Sequence, residues 1–163
     1  LRMLARYQFT FLLLALLLLF DVFVNSAVDY MATSNVNLLV LYILQDLFIL
    51  FAFILIFLQF FSTYFFKAGL AKVLIDRFKL TIIFTVIYFG LTIGLHIWNL
   101  TLRWESISNI PTTAGYSALF AIQRGFSVFY YYIYKRSLLR LGDERFYKDS
   151  AFFRREFERR RND

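Results

Sequence analysis

The sequence has no cysteine, which excludes disulfides and thiolate metal sites. Its one proline, Pro111, leaves long stretches without a helix breaker. There is one histidine, His96, so the usual His- and Cys-rich metal frames cannot be assembled. No HExxH, no glycine-rich phosphate loop and no nucleophile spaced with a base is present. No cofactor and no enzymatic activity are therefore expected. Charged residues are only 18% of the chain, and they thin out over four long stretches.

Apolar residues fill those stretches. The chain of 163 residues is 60% hydrophobic, with 22 Phe and 11 Tyr. A soluble domain carries about 45–50% apolar residues. About 20 apolar residues cross a bilayer, and four segments qualify: 9–28, 38–66, 80–102 and 111–134. The expected fold is an all-α membrane protein. A four-transmembrane-helix bundle occupies 1–141, and a basic cytoplasmic tail with a short C-terminal helix occupies 142–163. Segment 38–66 would reach about 43 Å as helix, beyond the ~30 Å hydrocarbon core, and must tilt or project. Pro111 suits the first turn of the fourth helix, where its missing N–H is tolerated. That helix is expected to run to Leu141 and stop at Gly142. The tail helix would start near Asp149 or Ser150, either of which can cap it.

The net charge of +7 raises the question of nucleic acid. Position argues against it, because the charges lie between and after the apolar runs. Sixteen Lys and Arg flank one side of the spans: two before the first, four between the second and third, ten after the fourth. The opposite side holds Arg103 alone. The positive-inside rule then places both termini and the middle connection in the cytoplasm. Trp98 and Trp104 fall at the outer interface. Tyr7, Tyr64, Tyr130, Tyr131, Tyr132 and Tyr134 are read as an inner aromatic belt. A cleaved signal peptide over 1–27 is the rival for the first segment. Its apolar run is long for an h-region, and Asp21 interrupts its end.

Four ionisable residues lie inside the spans: Asp21, Asp46, His96 and Arg124. Each is costly in lipid and calls for a partner. Counting from the span edges, Asp21, Asp46 and Arg124 come within about one turn of the midplane, with His96 further out. Asn25 shares a helical face with Asp21. The expectation is a buried ion-pair cluster, read either as a staple that fixes packing or as a proton or ion relay.

The third span has two faces. Thr81, Thr85, Tyr88, Thr92, His96 and Asn99 form one polar stripe. Gly90 and Gly94 form GxxxG on nearly the opposite side, a surface for close helix approach. In the fourth span Ala114, Ala118, Ala121 and Gly125 share a face of small residues beside Ser117 and Arg124. The Asn99-Leu100-Thr101 sequon lies at the membrane edge and is read as chance. In the tail, Phe152, Phe153 and Phe157 interleave with Arg154, Arg155 and further arginines. Such a segment can lie on anionic lipid or dock a partner.

Several segments together carry a resemblance. They are DVFVNS at 21–26, Gln45-Asp46 opening a Phe-rich run, LHIW at 95–98 with Leu102-Arg103-Trp104, and Gln123-Arg124. To these add 134–136, 141–143, Phe146-Tyr147 and Asp149-Ser150. Over roughly 20–157 the chain resembles the transmembrane protein 138 family of four-span proteins from ciliated eukaryotes. The resemblance implies a role in cilium assembly, in the ciliary or transition-zone membrane, with vacuolar membrane a second location. It implies no enzyme activity and no assigned chemistry for Asp21, Asn25, Asp46, His96, Arg103 or Arg124.

Two functions follow as expectations. One is a scaffold or assembly subunit whose partners are membrane lipids, other ciliary membrane proteins or a second copy of itself. The other is a small ion or proton channel or transporter subunit that uses the intramembrane polar groups.

Overall fold

The computed structural model describes residues 2–63, 71–106, 111–142, 154–155 and 158–159. Four long helices account for nearly all of them: α1 (Arg2–Met31), α2 (Asn35–Ser62), α3 (Ala71–Arg103) and α4 (Ala114–Leu141). The helical lengths of 28 to 33 residues correspond to about 42–50 Å, longer than the hydrocarbon core. Among the described residues, three segments are both long and apolar enough to cross a membrane: Gln8–Met31, Asn35–Phe61 and Phe78–Arg103. α4 has the length but a more polar composition.

The turn between α1 and α2 is built from local capping. Ser34 accepts from the backbone N–H of Asn37, which satisfies an orphan donor of the first turn. The Asn37 side chain reaches back to the Met31 carbonyl at 2.7 Å and holds the end of α1. Asn35 donates to the Trp104 carbonyl, tying this turn to the end of α3. Pro111 departs from its expected place. It precedes the helix, Thr113 is the N-cap residue, and α4 begins at Ala114. The N-cap side chain makes no hydrogen bond, so the start of α4 rests on packing. α1 and α3 also begin earlier than the apolar runs suggest, because helix continues into the flanking basic residues.

One spacing explains how the helices pack. On α2 the buried residues include Leu38, Tyr42, Gln45, Ile49, Ala52, Ile56 and Phe60. On α3 they include Phe78, Thr81, Thr85, Tyr88, Thr92, Leu95, Asn99 and Arg103. On α4 they include Tyr116, Gln123, Ser127, Tyr130, Tyr134 and Leu141. Steps of three and four alternate, a period near 3.5 that keeps one seam facing its neighbours. α1 packs on α2, α2 on α3, and α3 most extensively on α4.

The core is layered. One apolar cluster joins Leu14, Ile56, Phe60, Phe78, Tyr134, Leu138 and their neighbours. A smaller one joins Val24, Val28, Leu38 and Tyr42. Buried polar side chains such as Asp21, Gln45, Thr92 and Gln123 come between them along the helices.

The inner aromatic belt needs correction. Tyr130 and Tyr134 are core residues, 1% and 0% exposed, and Tyr131 is half-buried. Tyr132 is the one of the four that faces outward. In the tail, Arg154 and Arg155 are helical and exposed. The expectations placed on Phe152, Phe153 and Phe157 lie outside the described residues, as do residues 64–66 of the second span.

Candidate functional site

α1 turns Asp21 into the bundle, where it is 2% exposed. Gln45 of α2 donates to its Oδ1 at 2.6 Å. Tyr88 of α3 donates to Oδ2 at 2.7 Å. Tyr131 of α4 donates to the same oxygen. Asn25, one turn along α1, donates to both phenol oxygens at 2.9 Å and accepts from Gln45 at 3.0 Å. Gln123 of α4 reaches the Tyr88 hydroxyl and Thr92 at 3.4 and 3.3 Å. One carboxylate thus gathers side chains from all four helices, and no cation is among them. Aromatic stacking stiffens the site, with the Tyr88 and Tyr130 ring centroids 4.3 Å apart.

A second group lies nearer the end of the bundle where α1 meets α2. His96 Nδ1 is 3.0 Å from Asp46 Oδ1. Both atoms are buried without a well-directed hydrogen bond, so their contact is electrostatic rather than a linear donor–acceptor pair. The His96 ring stacks on Tyr42, centroids 3.9 Å apart. The Tyr42 hydroxyl accepts from Asn99 at 2.6 Å. At that end, buried Arg103 pairs with Asp29 at 2.8 Å.

The expected single ion cluster is therefore two. Asp21 and Asn25 meet, and Asp46 meets His96, but Arg124 pairs with neither aspartate. Its guanidinium sits 4.6 Å from the centre of the Phe120 ring, with Nη1 3.3 Å from Gln123 Oε1. The reason is azimuth. Equal depth does not give equal facing, and neighbouring helical residues differ by about 100°. In both Gln45-Asp46 and Gln123-Arg124 the neutral amide takes the seam and the charged residue takes the flank. Burying an amide is less costly than burying a charge.

The polar stripe of α3 points inward along its whole length, with Thr81, Thr85, Tyr88, Thr92, His96 and Asn99 all buried. Thr85 bonds the Thr81 carbonyl one turn back, and Thr81 bonds Ser137 of α4. Asn99 of the sequon is inside the bundle. Gly90, Gly94, Ala114, Ala118, Ala121 and Gly125 are all exposed. A Cβ added at Gly90, Gly94 or Gly125 would meet nothing within 4 Å. These small-residue faces are thus not used in packing the four helices together. Gln45, Gln123 and Tyr131 were not among the expected site residues, although Gln45 and Gln123 lie in register with the 3.5-residue seam and Tyr131 flanks it. Among the described residues, no group of three or more His, Asp or Glu is placed to hold a metal ion.

The family model of Transmembrane protein 138 matches residues 38–156. Transmembrane protein 138 of Xenopus tropicalis is 47% identical over 153 residues, covering 94% of each chain. The Mus musculus protein of that name is 47% identical over 151 residues, 93% of each chain. The Danio rerio protein is 42% identical over 155 residues, 95% of this chain and 96% of its own. No solved structure matches the chain. Similarity of this extent establishes the lineage: the chain belongs to the Transmembrane protein 138 family.

Proposed function

We propose that the protein is a non-enzymatic, four-span scaffold or assembly subunit of the ciliary or transition-zone membrane. Both ends of the chain are cytoplasmic, and α4 is the fourth span. Support for that span comes from its 28 residues and its packing along α3. Its polar members Gln123 and Ser127 are buried, so they are not presented to lipid. The ciliary assignment rests on the family resemblance. The scaffold assignment rests on one observation: two helices present small residues on the side turned away from the bundle. In lipid, such faces favour close approach of another helix, because backbones can come together and little side-chain entropy is lost. Partners are membrane lipids, other ciliary membrane proteins or a second copy of the chain.

Transport receives less support. Thr81, Thr85 and Thr92 of the stripe on α3 are bonded within the bundle, and mainly aromatic and aliphatic side chains fill it between Asp21 and the far ends of α2 and α4.

The test compares variants on the two faces of α3. Gly94→Leu adds bulk where the bundle has nothing to displace. It should leave insertion intact and reduce co-purification of membrane partners and ciliary localisation. Thr92→Leu disturbs the buried contact with Gln123 and should act through folding. Full co-purification and localisation in Gly94→Leu, with loss only in Thr92→Leu, would reject the scaffold reading of that face.

A further inference from the structure

A small cavity of ≈ 10 Å³ lies between the two polar clusters. Asn25 and Gln45 line it at depth, His96, Asn99 and Arg124 line it along its sides, and Asp29 lines it toward the α1–α2 turn. Asn99 donates from Nδ2 to Tyr42, but its Oδ1 is buried with no hydrogen-bond partner. A buried acceptor left in that state is unfavourable unless something donates to it.

We propose that this cavity is a binding site for one water molecule that donates to Asn99 Oδ1. Size and chemistry select the occupant. The volume is about the minimum that holds one water, and a water also needs two to four polar partners. The lining supplies them: Asn99 as acceptor, Arg124 as donor, and His96. His96 lines the cavity with its Nδ1 beside the Asp46 carboxylate. A chloride would suit Arg124 but is larger than water. A metal cation would face the Arg124 charge.

The water has a consequence for connectivity. Asn25 and Gln45 are both bonded into the Asp21 network. Asp29 is paired with Arg103 near the other end of the cavity. With the water in place, polar contacts run from the α1–α2 turn to Asp21. Beyond Asp21 the polar contacts of α3 are local, Thr85 with the Thr81 carbonyl and Thr81 with Ser137. There the core is Leu14, Ile56, Phe60 and Phe78, and the Tyr134 hydroxyl is closed onto the Ala52 carbonyl. The hydrated path is a dead end, which suits an anchored polar core rather than a conduit.

Radiolytic hydroxyl-radical footprinting of the full chain in lipid nanodiscs tests this, because radicals formed from a bound water modify the side chains beside it. Tyr42 and Tyr134 are the same residue type and are 4% and 0% exposed. Tyr42 should be modified several-fold faster than Tyr134, and His96 should be modified alongside it. Asn99→Leu removes the acceptor and fills the space, so it should slow Tyr42 and His96 without affecting Tyr134. Should that variant fail to accumulate, the wild-type contrast decides alone. Equal rates at Tyr42 and Tyr134 would overturn the site, and so would an Asn99→Leu protein in which Tyr42 is modified as in wild type.

Discussion

Asp21 is held by neutral groups, one from each helix: Asn25, Gln45, Tyr88 and Tyr131. Each buried donor deprived of its acceptor costs about 1–3 kcal/mol. Asp21→Leu removes the shared acceptor, and the remaining groups can recover only part of the loss among themselves. The expected destabilisation is about 2–5 kcal/mol, summed from such orphaned donors. Asp21→Asn keeps the shape and one acceptor, and the phenols can rotate to receive its N–H. It should lose less than half as much. Denaturant unfolding in detergent measures both, and equal losses would contradict the shared-acceptor account. Arg124→Leu strands no carboxylate. It gives up a cation–π contact worth about 0.5–1 kcal/mol and a long bond to Gln123, so its loss should be small beside that of Asp21→Leu. Depth along the spans was legible from residue counts. Which of two adjacent polar residues faces the core was not, because depth carries no azimuth.

At the scale of the helix, the interior is more polar than the exterior. Lipid tails are as apolar as leucine, so burial of apolar area does not choose the inward face. Polar side chains choose it, since they must find partners away from lipid. That is why the stripe on α3 was readable: Thr81 to Asn99 repeat at helical spacing against an apolar background. The tyrosines of α4 were not readable on type alone, because a membrane interface also favours tyrosine. Their register was the available signal, since Tyr130 and Tyr134 continue the seam of Gln123 and Ser127. Glycines on α4 divide the same way. A Cβ at Gly115 would stand 2.9 Å from the Trp98 ring, whereas one at Gly125 would meet nothing. Gly115→Ala should therefore cost about 1 kcal/mol of overpacking, which offsets its gain in helix propensity and leaves it less stable than Gly125→Ala. It should also shift Trp98 fluorescence, read in a Trp104→Phe background. Gly125→Ala should be neutral or gain up to about 1 kcal/mol of helix propensity, provided no partner sits on that face. Identical behaviour of the two variants would contradict this assignment of faces.

For the whole molecule, the decisive question is whether α4 crosses the membrane. Its composition hides the answer, because small residues, Gln123, Arg124 and tyrosines dilute its apolar content. Charge placement supports the four-span proposal. If α1, α2 and α3 cross and α4 does not, the ten basic residues after the fourth apolar run share a side with the α1–α2 turn, opposite the Lys and Arg between the second and third apolar runs. Basic residues would then crowd both faces, against the positive-inside bias. If α4 crosses, sixteen lie on one side and Arg103 alone on the other, where Asp29 already pairs with it. The packing points the same way. α4 supplies Tyr131 to Asp21 in the middle of α1 and Ser137 to Thr81 near the start of α3. A helix lying on the surface could not reach both depths. Accessibility reporters inserted at 32–34 and after Gly142 should therefore fall on opposite sides of the membrane, with the second facing the cytoplasm. A reporter after Gly142 found on the same side as one at 32–34 would leave three spans and remove α4 from the bundle.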